Sequence, residues 1–314
     1  MTDLTNLLLP YRRISIIGMD KNAGKTTTLN RLISDFNKRG TSLALTSIGR
    51  DGEESDIVTN TAKPRIFVQS GTTIITAEAL LEHCDITKEI IHVTNYHTAM
   101  GRVVIVVAKS DGYVQIGGPS TVSQLETLVD WLSKEKRFAS GKEGRFAPNH
   151  KIIIDGAISR KSTARLSDAV ILCAGAGLSP DMRKVIAETR YAAHILSLKK
   201  PCDSTEHIYL EGAVSDMRLS RLITSGGNLK GTCIVADDPS KIFIRSETYE
   251  KLLIKKCALA VKSPLNLVAV TVNPVSTRGY AFDAAEFLAK MQEALPMPVF
   301  DVQLGSIAAS PPGI

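Results

Sequence analysis

The feature that most constrains the fold is the succession of a strand, a glycine-containing loop, a helix and a second strand within the first 48 residues. The apolar run 13–17 predicts a strand, and residues 25 to about 38 have the apolar spacing of a helix that Gly40 ends. A second apolar run, 42–48, follows at once. A strand–helix–strand unit of this length joins parallel strands, and a parallel sheet needs helices on both faces. The segment therefore predicts an α/β protein.

The same alternation continues along most of the chain. Residues 102–108 are almost purely apolar, as expected of a strand that is buried on both faces. Thr76 is a predicted N-cap for a helix at 76–84, and Ser179 is another, with Pro180 at the first helical position. Further strands are predicted at 65–68, 151–154 and 169–173, and further helices at about 120–134 and 180–196. This order indicates a doubly wound, mostly parallel sheet in a Rossmann-like, three-layer arrangement.

The spacing of the elements changes between residues 199 and 264. Short strands are predicted there at 207–210, 232–235 and 242–244, with a helix at 247–256. A strand at 267–272, a helix at 282–295 and a strand at 299–302 then restore the earlier pattern. We therefore predict a core at 1–198, an inserted or appended α/β module at 199–264, and a carboxyl-terminal βαβ segment at 265–314 that returns to the core. The polar stretch 133–148 is predicted to be an exposed connection.

Composition and charge argue against several classes of protein. The five cysteines include no C-x-x-C pair, which favours reduced thiols in a cytoplasmic protein. No apolar run approaches the roughly 20 residues that a membrane-spanning helix needs, and the amino-terminal residues do not have the pattern of a signal peptide. The formal net charge is +6, but the basic residues form no dense run with interleaved aromatic residues, so nucleic acid is not the expected partner.

The loop between the first strand and the first helix has the composition of a phosphate-binding loop. Such a loop needs glycines where the backbone approaches the anion, and a helix N-terminus aimed at the phosphates. Its residues are Gly18-Met19-Asp20-Lys21-Asn22-Ala23-Gly24-Lys25-Thr26-Thr27. We expect Lys25 to lie along the β- and γ-phosphates of ATP, Thr26 to bind Mg²⁺, and Thr27 to reach the α-phosphate side. The strict pattern G-x-x-x-x-G-K-[ST] has Met19 at its first position, with Gly18 one residue earlier.

This spacing, G-x-D-x-x-x-G-K-T, resembles the loop of dethiobiotin synthetase and of the dimer-forming P-loop NTPases related to it. The resemblance implies a P-loop fold, an ATP and Mg²⁺ site, and binding roles for the loop residues, including Asp20, Lys21, Asn22 and Ala23. In the septum-site and nitrogenase-iron ATPases of this class a signature lysine stands at the second loop position. Here Asp20 takes that position and Lys21 follows it, so a homodimer is compatible with the sequence but not required by it.

Acidic residues that would hold the metal or orient water are expected at strand ends. The segment Ile152-Ile153-Ile154-Asp155-Gly156-Ala157 resembles the strand of the same family that ends in Glu-Gly-Ala, and Asp155 is therefore our first candidate. Asp51 follows the second strand, where this class keeps such an acid, and is assigned a metal and catalytic role. Asp56 and Glu211 are alternatives, and Asp155 itself could instead be a loop or capping residue.

Two further segments bear on the choice of base. Val270-Thr271-Val272-Asn273-Pro274 resembles the strand of the dethiobiotin synthetase family that ends in a base-binding asparagine, which makes Asn273 a base contact, although Asn-Pro is also a common turn. Val107-Ala108-Lys109-Ser110-Asp111 resembles the guanine motif N-K-x-D, but Ala108 replaces its asparagine. ATP is therefore favoured and GTP is kept as an alternative.

The chain as a whole also resembles the P-loop subunits of lysine 5,6-aminomutase reactivases. That resemblance implies a chaperone-like ATPase that couples its nucleotide state to a client protein and exchanges damaged cobalamin. The alternative is a ligase or kinase of the dethiobiotin synthetase kind, with Gln115 and residues 117–120 on the side of the acceptor. A third interpretation is a binding protein without hydrolysis.

Overall fold

A ten-stranded sheet forms the centre of the protein in a computed structural model. The structure describes residues 3–20, 22–48, 65–134, 150–157, 164–203, 205–224, 229–302 and 306–307. Within them the strands are β1 (Arg13–Gly18), β2 (Leu43–Ser47), β3 (Ile66–Val68), β4 (Thr73–Ala77), β5 (Lys88–Thr98), β6 (Gly101–Ala108), β7 (Gly112–Val114), β8 (Lys151–Ala157), β9 (Ala169–Gly175), β10 (Glu206–Leu210), β11 (Val214–Ser215), β12 (Thr232–Ala236), β13 (Ile242–Phe243), β14 (Ala258–Val261), β15 (Leu267–Asn273), β16 (Val299–Asp301) and β17 (Ser306–Ile307).

Helices lie on both faces of this sheet. Those described are α1 (Leu4–Leu8), α2 (Lys25–Lys38), α3 (Val122–Lys134), α4 (Met182–Leu196), α5 (Asp216–Thr224), α6 (Ser246–Ile254) and α7 (Ala284–Ala294). On one face, α1 and α2 pack against the sheet through residues such as Leu8, Leu32 and Phe36. On the other face, α3 packs through Leu128, and α4 and α7 share a second core. The predicted α/β class with a large, mostly parallel sheet is confirmed.

The strand order of the large sheet is β17-β16-β15-β9-β1-β8-β2-β4-β6-β5. All pairings from β16 through β4 are parallel, while β17, β6 and β5 run antiparallel to their neighbours. The central strands are apolar and fully buried, as both covered faces require. The two strands β3 and β7 form a separate small ribbon.

The predicted helix at 76–84 is wrong. The structure has strand β4 up to Ala77 and then a 3-10 helix, Glu78–His83. The run Thr72 to Thr76 consists of β-branched residues, which favour an extended backbone, and the Thr76 hydroxyl donates to the backbone oxygen of Gln115 instead of capping a helix. The predicted cap of α4 is also corrected, because Asp181 is the N-cap and accepts from the amide of Arg183.

A second, three-stranded parallel sheet has the order β10-β12-β14. Its strands lie within residues 206–261, inside the segment that the sequence sets apart as a module. Its core includes Ile195 and Leu198, from the end of α4 and just beyond it. The proposed boundaries of the three segments stay predictions. None of the helices in the described part of the chain has the length and apolar character that crossing a membrane requires.

Lys151 joins the amino-terminal helix to the sheet. Its amine donates to the backbone oxygens of Leu8 at 3.4 Å, Leu9 at 2.5 Å and Tyr11 at 2.6 Å, and the residue is only 4% exposed. These carbonyls lie at and just beyond the end of α1, where a helix leaves its last carbonyls without partners inside it. Burial lowers the pKa of Lys151.

We expect Lys151→Met to lower the free energy of unfolding by about 2 to 4 kcal/mol, because three backbone carbonyls, one of them on the fully buried Leu8, would lose a charged donor. The measurement is urea denaturation at neutral pH. Lys109→Met is the matched control, since Lys109 is half exposed in a surface pair with Glu89 and its loss should cost less than about 1 kcal/mol. Equal effects of the two substitutions would contradict a clamping role for Lys151.

Candidate functional site

The candidate site lies at the carboxyl ends of the central parallel strands. The chain leaves β1, forms helix α2 and returns to the sheet as β2, which lies on one side of β1. Strands β9 and β15 lie on the other side of β1. The direction of strand addition therefore reverses at β1. In open α/β sheets, ligands bind at the carboxyl edge where the strand order reverses. The predicted phosphate-binding loop occupies this position.

Backbone geometry explains the residue types of the loop. The amide of Met19 donates to the backbone oxygen of Cys173 on β9 at 2.9 Å, which fixes the start of the loop. Asn22 has φ 65° and Gly24 has φ 91°, so both adopt the left-handed conformation that asparagine tolerates and glycine favours. Helix α2 then begins at Lys25, and its first amides point out of the helix without partners inside it.

Lys25 folds back over the start of the loop. A Cβ atom added to Gly18 would lie 2.7 Å from the Cγ and Cδ atoms of Lys25 and 2.8 Å from its Nζ atom. The absence of a side chain at residue 18 thus lets the amine lie across the loop. Thr26 and Thr27 follow in the first turn of α2 and are half-buried.

Asp155 is the acid beside this loop. It lies on β8, directly next to Ile16 of β1 on one side and Ser47 of β2 on the other. Its Oδ1 atom is fully buried and has no hydrogen-bond partner among the described residues. Burial raises the pKa of Asp155 to about 6, against the opposing effects of the positive charge of Lys25 and the amide of Gly156. The structure therefore brings together Lys25 and Asp155, both predicted from the sequence.

Asn273 supports the loop from the other side. Its side-chain amide donates to the backbone oxygen of Asn22 at 3.2 Å, and its Oδ1 atom accepts from the amide of Val275. A Cβ atom added to Gly24 would lie 3.0 Å from the Cβ atom of Asn273. Asn273 thus has a bracing role that the sequence did not indicate, and its contact with a base stays a prediction.

The remaining predicted residues either lie outside the described part of the chain or lie at other places in the fold. Lys21, Asp51 and Asp56 lie outside the described residues. Asp20 follows the end of β1 and its backbone oxygen accepts from the amide of Ala23, which closes a turn in the loop. Glu211 follows β10 in the second sheet, so it does not share a sheet edge with Lys25.

The segment that resembles a guanine motif lies at the opposite edge of the sheet. Strand β6 runs antiparallel to β4, so its carboxyl end points away from the loop. Lys109 there pairs with Glu89 at 2.6 Å, and Asp111 accepts from the amide of Ser70 at 2.8 Å. This geometry argues against contact of these residues with a base bound at the loop.

Gly118 belongs to the segment 117–120, which the sequence analysis places on the side of an acceptor, and it packs against the end of β2. The amide of Gly118 donates to the Ser47 hydroxyl at 3.2 Å, and a Cβ atom at this glycine would lie 1.8 Å from the backbone oxygen of Ser47. Ser47 is the register partner of Asp155. A glycine pair before a helix was the available signal, but it is also ordinary capping chemistry.

A buried polar contact underlies the first turn of α2. The hydroxyls of Thr28 and Thr271 lie 2.9 Å apart, and Cys173 contributes its thiol at 3.5 Å from Thr28. These residues tie the helix that begins at the loop to β9 and β15. Each of these residues is an isolated hydroxyl or thiol within a helix or an apolar strand. The sequence alone therefore does not indicate that they contact one another.

Comparison with known proteins returned no relative: no protein-family model, curated protein or solved structure matches the chain. The described residues also contain no cluster of three or more His, Cys, Asp or Glu side chains that could hold a metal ion. The function therefore has to be inferred from the geometry of the loop and its neighbours.

Proposed function

We propose that this protein is a Mg²⁺-dependent ATPase of the P-loop type that acts in the cytoplasm and couples its nucleotide state to a partner protein. The observation that carries the proposal is that the charge of Lys25 acts on Asp155 at the mouth of a glycine loop, while the buried Oδ1 atom of Asp155 has no hydrogen-bond partner among the described residues. A cation near a carboxylate that has one buried oxygen without a hydrogen bond suits a site that is completed by a metal–phosphate complex.

The residues fit such a complex in charge and in position. The unpartnered amides at the start of α2 favour an anion, and Lys25 supplies a full positive charge beside them. Thr26 and Asp155 are the residues that would hold Mg²⁺, which supplies charge neutralisation for the phosphates when bound. Asp155 would also orient water for attack on the terminal phosphate.

The case for a partner protein rests on the second sheet. Its core is continuous with the end of α4 through Ile195, and α4 begins just beyond β9, a neighbour of β1. A change at the loop would thus have a short path to a surface outside the nucleotide site. Reactivation of a cobalamin-dependent aminomutase, which the resemblance implies, is one such coupled activity.

A second function, phosphorylation or ligation of a small molecule, is favoured by residues 115–120. Gly118 packs on Ser47, the neighbour of Asp155, so this segment flanks the position expected for the terminal phosphate. An acceptor bound there would face the phosphate that leaves ATP. ATP is preferred to GTP in both functions because Lys109 and Asp111 lie at the far edge of the sheet.

The test is a set of nucleotide titrations and turnover assays on the purified protein. We expect ATP to bind more tightly than GTP, with affinity that depends on Mg²⁺, and turnover to rise at least about tenfold with the partner present. Turnover that requires a small carboxylic acid or amine acceptor would favour the second function. Absence of nucleotide binding in the presence of Mg²⁺ would reject both.

A further inference from the structure

The segment after β15 folds into a hairpin beside the loop. The amide of Phe282 donates to the backbone oxygen of Pro274 at 2.9 Å, and the amide of Ser276 donates to that of Tyr280 at 2.9 Å. Gly279, with φ 86°, makes the turn at the tip. Residues 274–282 are called the clasp hairpin below.

The clasp hairpin is held at its base, its middle and its tip. At the base, the rings of Phe282 and the fully buried Phe287 pack edge to face, 5.1 Å apart. In the middle, the Tyr280 hydroxyl donates to the backbone oxygen of Ala176 at 2.6 Å, just beyond β9. At the tip, the Asn22 side chain donates to the Thr277 hydroxyl at 3.1 Å. The hairpin is therefore fixed directly on the loop.

Arg278 is presented at this tip. It follows Thr277, is exposed, and its backbone amide donates to the Ser276 hydroxyl at 3.2 Å. Its guanidinium forms no ion pair with any carboxylate of the described residues, in contrast to Arg13, which pairs with Asp168. A cation on a hairpin that contacts the loop adds to the positive charge of Lys25, which an anionic ligand would offset.

The position of the hairpin indicates which part of the ligand it meets. Strand β15 lies on one side of β1. Strand β8, which carries Asp155, lies on the other side. If Lys25 and Asp155 serve the terminal phosphates and the metal, the clasp hairpin faces the nucleoside half. A guanidinium can stack on a base, and this contact needs its planar shape.

We infer that Arg278 is a nucleotide-binding residue that recognises the nucleoside of ATP, and that the clasp hairpin positions it. The inference rests on the proposed function. It also gives the Asn22–Thr277 contact a role, since that contact ties the loop around the phosphates to the residue that reads the nucleoside.

The experiment compares ATP, ADP and inorganic tripolyphosphate, each with Mg²⁺, in wild type, Arg278→Ala and Arg278→Lys. Arg278→Ala should weaken ATP and ADP by the same factor, about tenfold or more, and leave tripolyphosphate unchanged. Arg278→Lys should recover less than half of the lost affinity on a logarithmic scale, because it keeps the charge but not the planar group. Arg190→Ala, an exposed arginine on α4, is the charge-matched control and should bind all three ligands as wild type does.

Two results would overturn the inference alone: unchanged ATP affinity in Arg278→Ala, or equal weakening of tripolyphosphate and ATP. The second would mean that Arg278 acts only through its charge on the phosphate chain. Wild-type protein that binds neither ATP nor tripolyphosphate would instead reject the proposed function, and the inference with it. Thermal unfolding of Arg278→Ala should match wild type, because the side chain is exposed.

Discussion

Lys25→Ala is expected to weaken ATP binding by about a hundredfold or more and to abolish measurable turnover. Loss of charged hydrogen bonds to two phosphates corresponds to about 3 kcal/mol. The amine already lies over Gly18, so the site is shaped around this side chain before a ligand arrives. The measurement is calorimetric titration with ATP and Mg²⁺, together with phosphate release.

Lys38→Ala is the control for Lys25→Ala. Lys38 is the last residue of the same helix and is largely exposed, so its removal changes the net charge equally without touching the loop. Affinity within about twofold of wild type is expected for it. If Lys25→Ala kept wild-type affinity while Lys38→Ala did not, the site would not be at the loop.

Asp155→Asn should abolish Mg²⁺-dependent turnover and at the same time stabilise the protein. The pKa of Asp155 is raised from 3.8 to about 6, mainly by burial, so the folded protein disfavours the ionised form. The unfolded chain loses its proton first as the pH rises. The contribution of Asp155 to the stability of the wild type is therefore most favourable below pH 3.8. It becomes less favourable as the pH rises to about 6, and it stays so above that pH.

The asparagine variant lacks this ionisation, so it should be more stable than wild type by about 1 to 3 kcal/mol at pH 7.5, and the difference should shrink as the pH falls toward 4. Urea denaturation at several pH values measures it. In the wild type, Mg²⁺-dependent ATP binding should strengthen as the pH rises through about 6, because the ionised carboxylate binds the metal.

Asp168→Asn separates this effect from a general response to pH. The pKa of Asp168 is lowered by the amide and guanidinium of Arg13, which outweigh the opposing effect of its burial, so its replacement should destabilise the protein. A variant of Asp155 that lost stability at pH 7.5, or that kept turnover, would contradict the assignment of this acid to the site.

The central βαβ unit was predictable because its signals are local. Apolar residues in the strand, glycine in the loop and helical spacing after Lys25 all lie within residues 13–38 and agree with one another. The predicted strand at 13–17 and helix at 25–38 are confirmed as β1 and α2. Asp155 was also singled out from its own strand, because three isoleucines precede it and place it at the sheet edge.

Strand direction was not predictable in the same way. Residues 102–108 form a buried strand as expected, but β6 runs antiparallel because a tight connection at Ala99 and Met100 turns it back from β5. Strand β5 has exposed Ile90 and Val93 and two irregularities in its register, so it shows no clear alternation. A half-covered, irregular edge strand lacks the periodicity on which recognition depends.

The contacts of the loop with the end of the chain were also beyond the sequence. Asn273 contacts Asn22 because β15 adds to the sheet beside β9, and nothing near either residue specifies that pairing. The sequence offered a base contact or a turn residue for Asn273. Its bracing role depends on this tertiary arrangement, so neither interpretation included it.

The long separation between Asn22 and Asn273, 251 residues, has a consequence for biosynthesis. Strand β1 emerges from the ribosome early, but both of its neighbours, β8 and β9, follow only after residue 150. At typical rates of synthesis, Asn273 emerges roughly 10 to 50 s after Asn22. Until β8 and β9 have emerged, the apolar β1 has neither of its neighbours to pair with, and Asn22 waits longer still for Asn273. We therefore expect the nascent chain to depend on molecular chaperones at least until β9 has been translated.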